Sequence, residues 1–186
     1  MAESEHRNPW TTLSGRLVYE NPWISVREDQ VLHPDGHPGI YGVVQFKHKA
    51  VGVLPVDELG RIWLVGQYRY PIQRYSWEIP EGGGHGDETA EEAARRELRE
   101  ETGLSAGRLE LISTSHLSNS VSDEGAFIYR ATELVPGPSA PEGCEQLQVR
   151  LVEWSEAWAM IQDGRITDSM TLIALLYEAL RRGHRV

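Results

Sequence analysis

Residues 15–46 are rich in strand formers, with Val26, Val31, Val43 and Val44 among them, and Pro34-Asp35-Gly36 supplies a turn between strands. Residues 50–56 and 62–67 form two short apolar runs. Asp57-Glu58-Leu59-Gly60 separates them and reads as a hairpin loop. Periodicity predicts a helix over 88–102 and strands over 109–114, 125–131 and 148–152. Residues 135–143 carry Pro and Gly at a density that predicts a loop, and residues 1–14 read as a loose arm with Trp10 as its anchor. Two short helices close the chain. Ser155 is placed to cap the first and Gly164 to end it, and Asp168 is placed to cap the second. Met170, Ile173, Tyr177 and Leu180 recur at helical spacing on that last helix and predict a core-facing stripe. Strands, a helix, more strands and then helices predict an α/β chain with a mixed sheet packed between helices.

Composition and charge narrow what such a fold could do. The chain has 186 residues, enough for one domain with a real core. No apolar run approaches the roughly 20 residues that span a bilayer, and the polar, acidic start lacks the pattern of a secretory signal. The single cysteine, Cys144, has no partner within the chain and no base beside it, so an unreactive thiol in the reducing cytoplasm is expected. A formal net charge of −10 disfavours binding to nucleic acid and to anionic membrane. For a phosphate-bearing substrate it demands a local basic group or bound cations.

Candidate chemistry concentrates between Glu81 and Leu104. A glycine-rich turn leads into the helix, Thr89 and Glu92 have capping-box spacing, and Gly103 stands where a helix end favours a left-handed residue. Ala90, Ala94 and Leu98 form a narrow apolar side suited to close approach to a sheet. Glu97, Glu100 and Glu101 share one face at i, i+3 and i+4. Like charges so spaced oppose helix formation by a few tenths of a kcal/mol per pair. A hard divalent cation would reverse that effect, and magnesium prefers such oxygen ligands. The spacing equally fits a solvated helix laced by pairs between Glu91, Glu92, Arg95 and Arg96.

The segment resembles the signature of the Nudix hydrolases: Gly, five residues, Glu, seven residues, Arg-Glu, an aliphatic, any residue, Glu-Glu, any residue, Gly, aliphatic. Gly82, Glu88, Arg96, Glu97, Leu98, Glu100, Glu101, Gly103 and Leu104 fill every fixed position. The resemblance implies the Nudix fold, an α/β/α sandwich around a mixed sheet, over residues 47–186. Residues 1–46 would form an N-terminal strand region. It also implies magnesium, with manganese as a substitute, held by Glu97, Glu100, Glu101 and the main-chain carbonyl of Glu81, with Glu88 beside them. Arg96 joins the catalytic set as the residue that orients these carboxylates.

Sequence outside the signature resembles the branch of ADP-ribose pyrophosphatases and nucleoside-diphosphate-sugar hydrolases. Trp77-Glu-Ile-Pro-Glu-Gly82 is similar to the lead-in of that branch, with Glu81 where alanine is frequent, and Glu78 is expected among the substrate-binding residues. Gln67-Tyr-Arg-Tyr-Pro71 resembles the strand end whose arginine contacts the diphosphate, which implicates Arg69. Ser118-Asn-Ser-Val-Ser-Asp-Glu124 resembles a catalytic loop. Glu124 is implied as the general base and Asp123 as the fallback, while Glu100 stands with the catalytic carboxylates. Trp23, within Asn21-Pro-Trp23, occupies a place where a tryptophan stacks on the nucleobase in some members. It is equally placed to pair across a hairpin. The resemblance further implies a homodimer formed through the N-terminal strands. The expected activity is hydrolysis of the diphosphate bond of a nucleoside diphosphate sugar, ADP-ribose or an NDP-hexose, to a nucleoside monophosphate and a sugar phosphate. Hydrolysis of a dinucleoside polyphosphate or a coenzyme A derivative, a non-catalytic nucleotide-sugar sensor and RNA decapping are the alternatives.

Overall fold

Buried runs on both faces of a strand require cover on both sides, and Ala50–Pro55 is such a run, with five of its six residues buried. The computed structural model describes residues 7–139 and 146–183, so Cys144 and part of the predicted 135–143 loop lie outside the described residues. Strands β1 (Thr11–Glu20), β2 (Ile24–Leu32), β3 (Pro38–Phe46), β4 (Ala50–Pro55), β5 (Ile62–Arg69), β6 (Arg74–Glu78) and β7 (Glu81–Gly83) precede helix α1 (Ala90–Thr102). Then follow β8 (Leu104–His116), β9 (Gly125–Pro136), β10 (Gln148–Val152), α2 (Trp154–Gln162) and α3 (Ser169–Arg181). The chain divides into two compact units. One joins the chain up to Lys47 with His116–Glu124, and the other joins His48–Ser115 with the chain from Gly125 onward.

The larger unit holds a four-stranded sheet in the order β7-β4-β9-β8 and a three-stranded sheet in the order β10-β5-β6. Strand β4 runs antiparallel to β7 and parallel to β9, so the first sheet is mixed. Alternation along β4 sends Val51 and Val53 to one face, where they pack with Ala93, Ala94 and Leu98 of α1 and Tyr129 and Ala131 of β9. Gly52 points the other way: a Cβ built there would lie 3.8 Å from the Cβ of Met170 on α3 and 2.8 Å from Ile79. The mixed sheet therefore lies between α1 and α3, the α/β/α arrangement expected from the sequence.

Helix α1 begins at Ala90 because Thr89 is its N-cap, with Thr89 and Glu92 closing a reciprocal capping box. It stops at Gly103, whose φ of 74° is left-handed and whose N–H returns to the Arg99 carbonyl. Helix α3 is capped as expected by Asp168, which accepts from the Thr171 N–H at 2.7 Å. Its buried face keeps Met170 of the predicted stripe and departs from it after that residue. Met170, Thr171, Ala174, Leu175, Glu178 and Ala179 are buried, while Tyr177 and Leu180 are 46% and 63% exposed. Small Ala174 and Ala179 let the helix approach the sheet, and Glu178 is buried because Arg130 and Arg182 both pair with it. Helix α2 starts two residues earlier than predicted, with Glu153 rather than Ser155 at its N-cap.

The smaller unit carries the antiparallel sheet β1-β2-β3. Its first strand begins at Thr11, so the predicted arm of 1–14 is too long. Trp10 sits just before β1 with its ring 4.9 Å from His33 and edge-on to Tyr41. Strands β8 and β9 both exceed their predicted spans. Ser105, Gly107 and Arg108 interrupt the apolar pattern of β8, and an edge strand with a solvated face tolerates that. Among the described residues no helix is long and apolar enough to cross a membrane.

Leu98 is fully buried and is the largest side chain α1 adds to the core. Leu98→Ala should lower unfolding stability by about 2–5 kcal/mol. Urea unfolding should show a lower midpoint with an unchanged slope.

Candidate functional site

Like charges on one helix face need a shared counter-charge, and Arg96 provides it. Its Nη1 donates to Glu97 Oε1 at 2.8 Å and to Glu100 Oε2 at 2.9 Å. Its Nε donates to Glu88 Oε1 at 3.0 Å, and its Nη2 to Glu88 Oε2 at 3.1 Å and to the Gly83 carbonyl at 2.8 Å. Burial opposes the guanidinium charge, but the hydrogen bonds to Glu88, Glu97 and Glu100 outweigh it and hold Arg96 more firmly protonated than an ordinary arginine. The same contact, led by the Arg96 hydrogen bond, holds Glu88 below the usual carboxylate range. Glu88 also accepts from the His85 N–H at 2.9 Å, which closes the glycine-rich turn ahead of α1.

Strand β7 lies against this helix. The Glu101 carboxylate accepts from the Glu81 N–H at 3.0 Å. Gly82 has no side chain, and the Glu97 carboxylate uses that space: a Cβ on Gly82 would fall 2.2 Å from Glu97 Oε1. The approach to β7 is held by backbone contacts. Thr171 Oγ1 on α3 accepts from the Ile79 N–H at 2.9 Å, and the Pro80 carbonyl accepts from the Val53 N–H at 2.8 Å. Thr171 is fully buried, so this link from α3 to the lead-in is shielded from water.

Arg69 ends β5 beside the same segment. Its Nε donates to both oxygens of Glu78, at 3.1 and 2.9 Å, and its Nη2 donates to Glu78 and to Glu81 Oε1. Glu78 is buried at 3% exposure, whereas the Arg69 side chain remains about one-third exposed at 35%. Burial opposes the Arg69 charge, and the hydrogen bond to Glu78 with the fields of Glu81, Glu78 and Asp168 raises its pKa above the ordinary value. Glu81 behaves in the opposite way. Burial raises its pKa well above the ordinary value, and the charges of Asp168, Glu78 and Glu101 add to that against the opposing charge of Arg69.

Glu124, Asp123 and Trp23 belong to the smaller unit. Asp123 Oδ1 accepts from the Phe46 N–H at 2.8 Å, and the Asp123 N–H donates to the Val44 carbonyl, which ties the 117–124 turn to β3. Glu124 is half-buried, and burial followed by the charge of Asp123 raises its carboxyl pKa. Trp23 is 70% exposed on the turn between β1 and β2, with its N–H held by Asn21 Oδ1 at 2.9 Å.

The structure thus brings Arg69, Glu78, Glu81, Glu88, Arg96, Glu97, Glu100 and Glu101 together within the larger unit. It adds two residues that sequence reasoning did not assign to the site, Asp168 and Thr171. Asp168 is legible as a helix cap, and only the fold shows its charge acting on Glu81 and Arg69. Thr171, inside an apolar helix, carries no signal. Among the described residues no group of three or more His, Cys, Asp or Glu side chains stands arranged to hold a metal ion, and Arg96 has drawn Glu88, Glu97 and Glu100 onto its own nitrogens. The donors themselves suit a hard divalent cation. All are oxygens, and Glu81 Oε2 is buried without a hydrogen-bond partner.

Comparison with known proteins agrees on one family. Residues 46–171 match the NUDIX domain, and residues 10–44 match the nucleoside diphosphate sugar hydrolase N-terminal domain. The ADP-ribose pyrophosphatase of Bacillus subtilis (strain 168) is 31% identical over 173 residues, covering 91% of this chain and 92% of its own length. The ADP-ribose pyrophosphatase of Mycobacterium tuberculosis (strain ATCC 25618 / H37Rv) is 31% identical over 169 residues, with 89% and 81% covered. A methanol dehydrogenase activator of Bacillus methanolicus is 30% identical over 172 residues, with 91% and 92% covered. Among solved structures, an ADP compounds hydrolase superposes with a TM-score of 0.85 at 20% identity, covering 98% of this chain and all of its own. That last likeness bears on the fold alone.

Proposed function

This chain belongs to the Nudix hydrolase family, and from that premise we propose that it hydrolyses the diphosphate bond of a nucleoside diphosphate sugar. The substrate is ADP-ribose or an NDP-hexose, the products are a nucleoside monophosphate and a sugar phosphate, and magnesium, replaceable by manganese, is the cofactor. The observation that carries this reading is the convergence on β7 of an arginine, Arg69, and the acidic face of α1. The relatives named for ADP-ribose and the nucleoside-diphosphate-sugar match over residues 10–44 support the substrate class.

Glu97, Glu100, Glu101 and the main-chain carbonyl of Glu81 would hold the cation, which when bound neutralises diphosphate charge and lowers the pKa of a water. Arg96 keeps the carboxylates pointed along one face and does not touch substrate. Arg69 would bind the diphosphate through its exposed edge. We take Glu78, buried behind it, to act on substrate by fixing the plane of that guanidinium. Glu124 would take the proton of the attacking water. Asp123 spends its carboxylate on the Phe46 N–H, which supports Glu124 as the base. A raised pKa also brings Glu124 closer to the range where a carboxylate accepts a proton effectively. Trp23 offers an exposed ring for the nucleobase, a contact worth roughly 1–3 kcal/mol where bases stack on aromatic side chains.

We further propose that residues 1–46 form a dimerising region and residues 47–186 the catalytic domain, and that the protein is a homodimer. Every residue of β1 is exposed, and Leu13, Leu17 and Tyr19 present more than half of their surface. Apolar side chains so uncovered along one strand fit an interface between copies. Light scattering should give about twice the 21.0 kDa chain mass, and removal of residues 1–46 should give a monomer. A full-length monomer would defeat the proposal.

Substrate class is tested by a panel of ADP-ribose, ADP-glucose, GDP-mannose, UDP-glucose and a dinucleoside polyphosphate, with magnesium and with excess chelator. Turnover should be confined to one or more of the nucleotide sugars and vanish on chelation, and Glu101→Gln should remove it by orders of magnitude with the fold intact. Cleavage of the dinucleoside polyphosphate alone, or full activity in chelator, would sink the reading.

Glu124→Gln should lower turnover by roughly 100-fold or more, the scale of a lost general base, with substrate affinity little changed. Asp123→Asn keeps the oxygen that accepts from Phe46 and removes the charge that raises the Glu124 pKa. Its turnover should change far less, and the acid limb of its pH profile should move to lower pH. The reverse ranking would assign the base to Asp123.

A further inference from the structure

Glu81 carries a side chain that its backbone role does not need. Its N–H already binds the Glu101 carboxylate, and a main-chain carbonyl is present whatever stands on Cβ. The side chain is nonetheless nine-tenths buried, at 9% exposure. Oε1 accepts from Arg69. Oε2 accepts nothing and is the one buried carboxylate oxygen in that state among the described residues.

The surroundings make this costly. Asp168 from the N-cap of α3, Glu78 from β6 and Glu101 from α1 all repel charge on Glu81, and Arg69 is the cation that opposes them. Arg69 is already shared with Glu78 through both of its oxygens. A buried acceptor left unpaired loses its hydration without return, and the loss is larger when it is charged. Water or a neutral hydrogen-bond donor would satisfy one lone pair and leave the repulsion among four carboxylates. A divalent cation removes both costs at once, and oxygen is its preferred ligand. The neighbouring geometry brings the acidic face of α1 to the same place, since Glu101 binds the Glu81 N–H and the Glu97 carboxylate fills the space over Gly82.

We propose that the carboxylate of Glu81 is itself a ligand of the divalent cation through Oε2, while Oε1 remains on Arg69. Residue 81 then provides a side-chain oxygen in addition to its carbonyl. One carboxylate links the cation to the arginine assigned to the diphosphate, so each biases the other in both directions. This rests on the reading of α1 as a cation site and adds to it the position at which this chain carries glutamate in place of the alanine frequent in the branch it resembles.

The test uses the full chain, stripped with chelator and titrated with manganese, with free Mn2+ followed by its paramagnetic resonance signal. Thermal unfolding is measured with and without Mn2+. The wild type should bind Mn2+, and Glu81→Ala and Glu81→Gln should weaken that binding by at least about tenfold, the lower end of losses seen when groups supporting a metal site are removed. In chelator Glu81→Ala should melt no lower than the wild type, because a repelled, half-paired carboxylate has been removed. Its stabilisation by Mn2+ should shrink in step with the weaker binding. Equal Mn2+ affinity in the wild type and both variants overturns the inference and leaves the α1 reading standing. A lower melting point in chelator together with unchanged affinity overturns it in favour of a role confined to Arg69. A wild type that binds no Mn2+ overturns the α1 reading and the inference together. Where Glu81→Ala fails to fold, Glu81→Gln decides, since it keeps the size and an oxygen acceptor for Arg69.

Discussion

Arg96 is the contact on which the arrangement of the acidic helix depends. One guanidinium, largely out of water, gathers Glu88, Glu97 and Glu100 and reaches the Gly83 carbonyl. Without it, carboxylates on one helical face would repel one another and turn toward solvent as independent groups. With it, the turn before α1, the body of the helix and the end of β7 are fixed to one point. Arginine suits the task because its donors lie in a planar fork and its charge persists at any working pH.

The rest of the fold supplies a rigid place for that cluster. Val51 and Val53 on one face of β4 seat α1, and Gly52 on the other face leaves room for Ile79 and Met170. Thr171 and Asp168 at the start of α3 then reach the segment that carries Glu78 and Glu81 from the side of the sheet opposite α1. Glutamates 78, 81 and 101 lie on different elements, and each is fixed by a contact made outside its own element. This suits phosphoryl chemistry, where positioning and charge stabilisation do most of the work.

Much of this was legible in the chain. The spacing of Gly82, Glu88, Arg96, Glu97, Glu100, Glu101 and Gly103 is local, and local spacing survives folding because a helix has a fixed pitch. The capping box at Thr89 and the left-handed stop at Gly103 were readable for the same reason. Less was legible where neighbours decide. The predicted stripe Met170, Ile173, Tyr177, Leu180 is a sound amphipathic pattern, yet α3 turns Ala174, Glu178 and Ala179 inward. Close approach to the sheet and the Arg130–Glu178 pair outweighed hydrophobicity there. Strand β8 escaped full prediction because an edge strand carries a weak apolar signal.

By itself the sequence determined the elements, the sheet-between-helices class and the identity of the acidic helix, because each rests on periodicity and short-range stereochemistry. It also determined the candidate residues Arg69, Glu81 and Glu124 from their local motifs. Only the tertiary structure decided which of those carboxylates share a guanidinium, that Glu78 is buried behind Arg69, that Asp168 bears on Glu81, and that one Glu81 oxygen is left unpaired. These are contacts between residues far apart in the chain. Their energies depend on burial and on the sum of neighbouring charges, and neither quantity exists until the sheet and its two helices have closed around them.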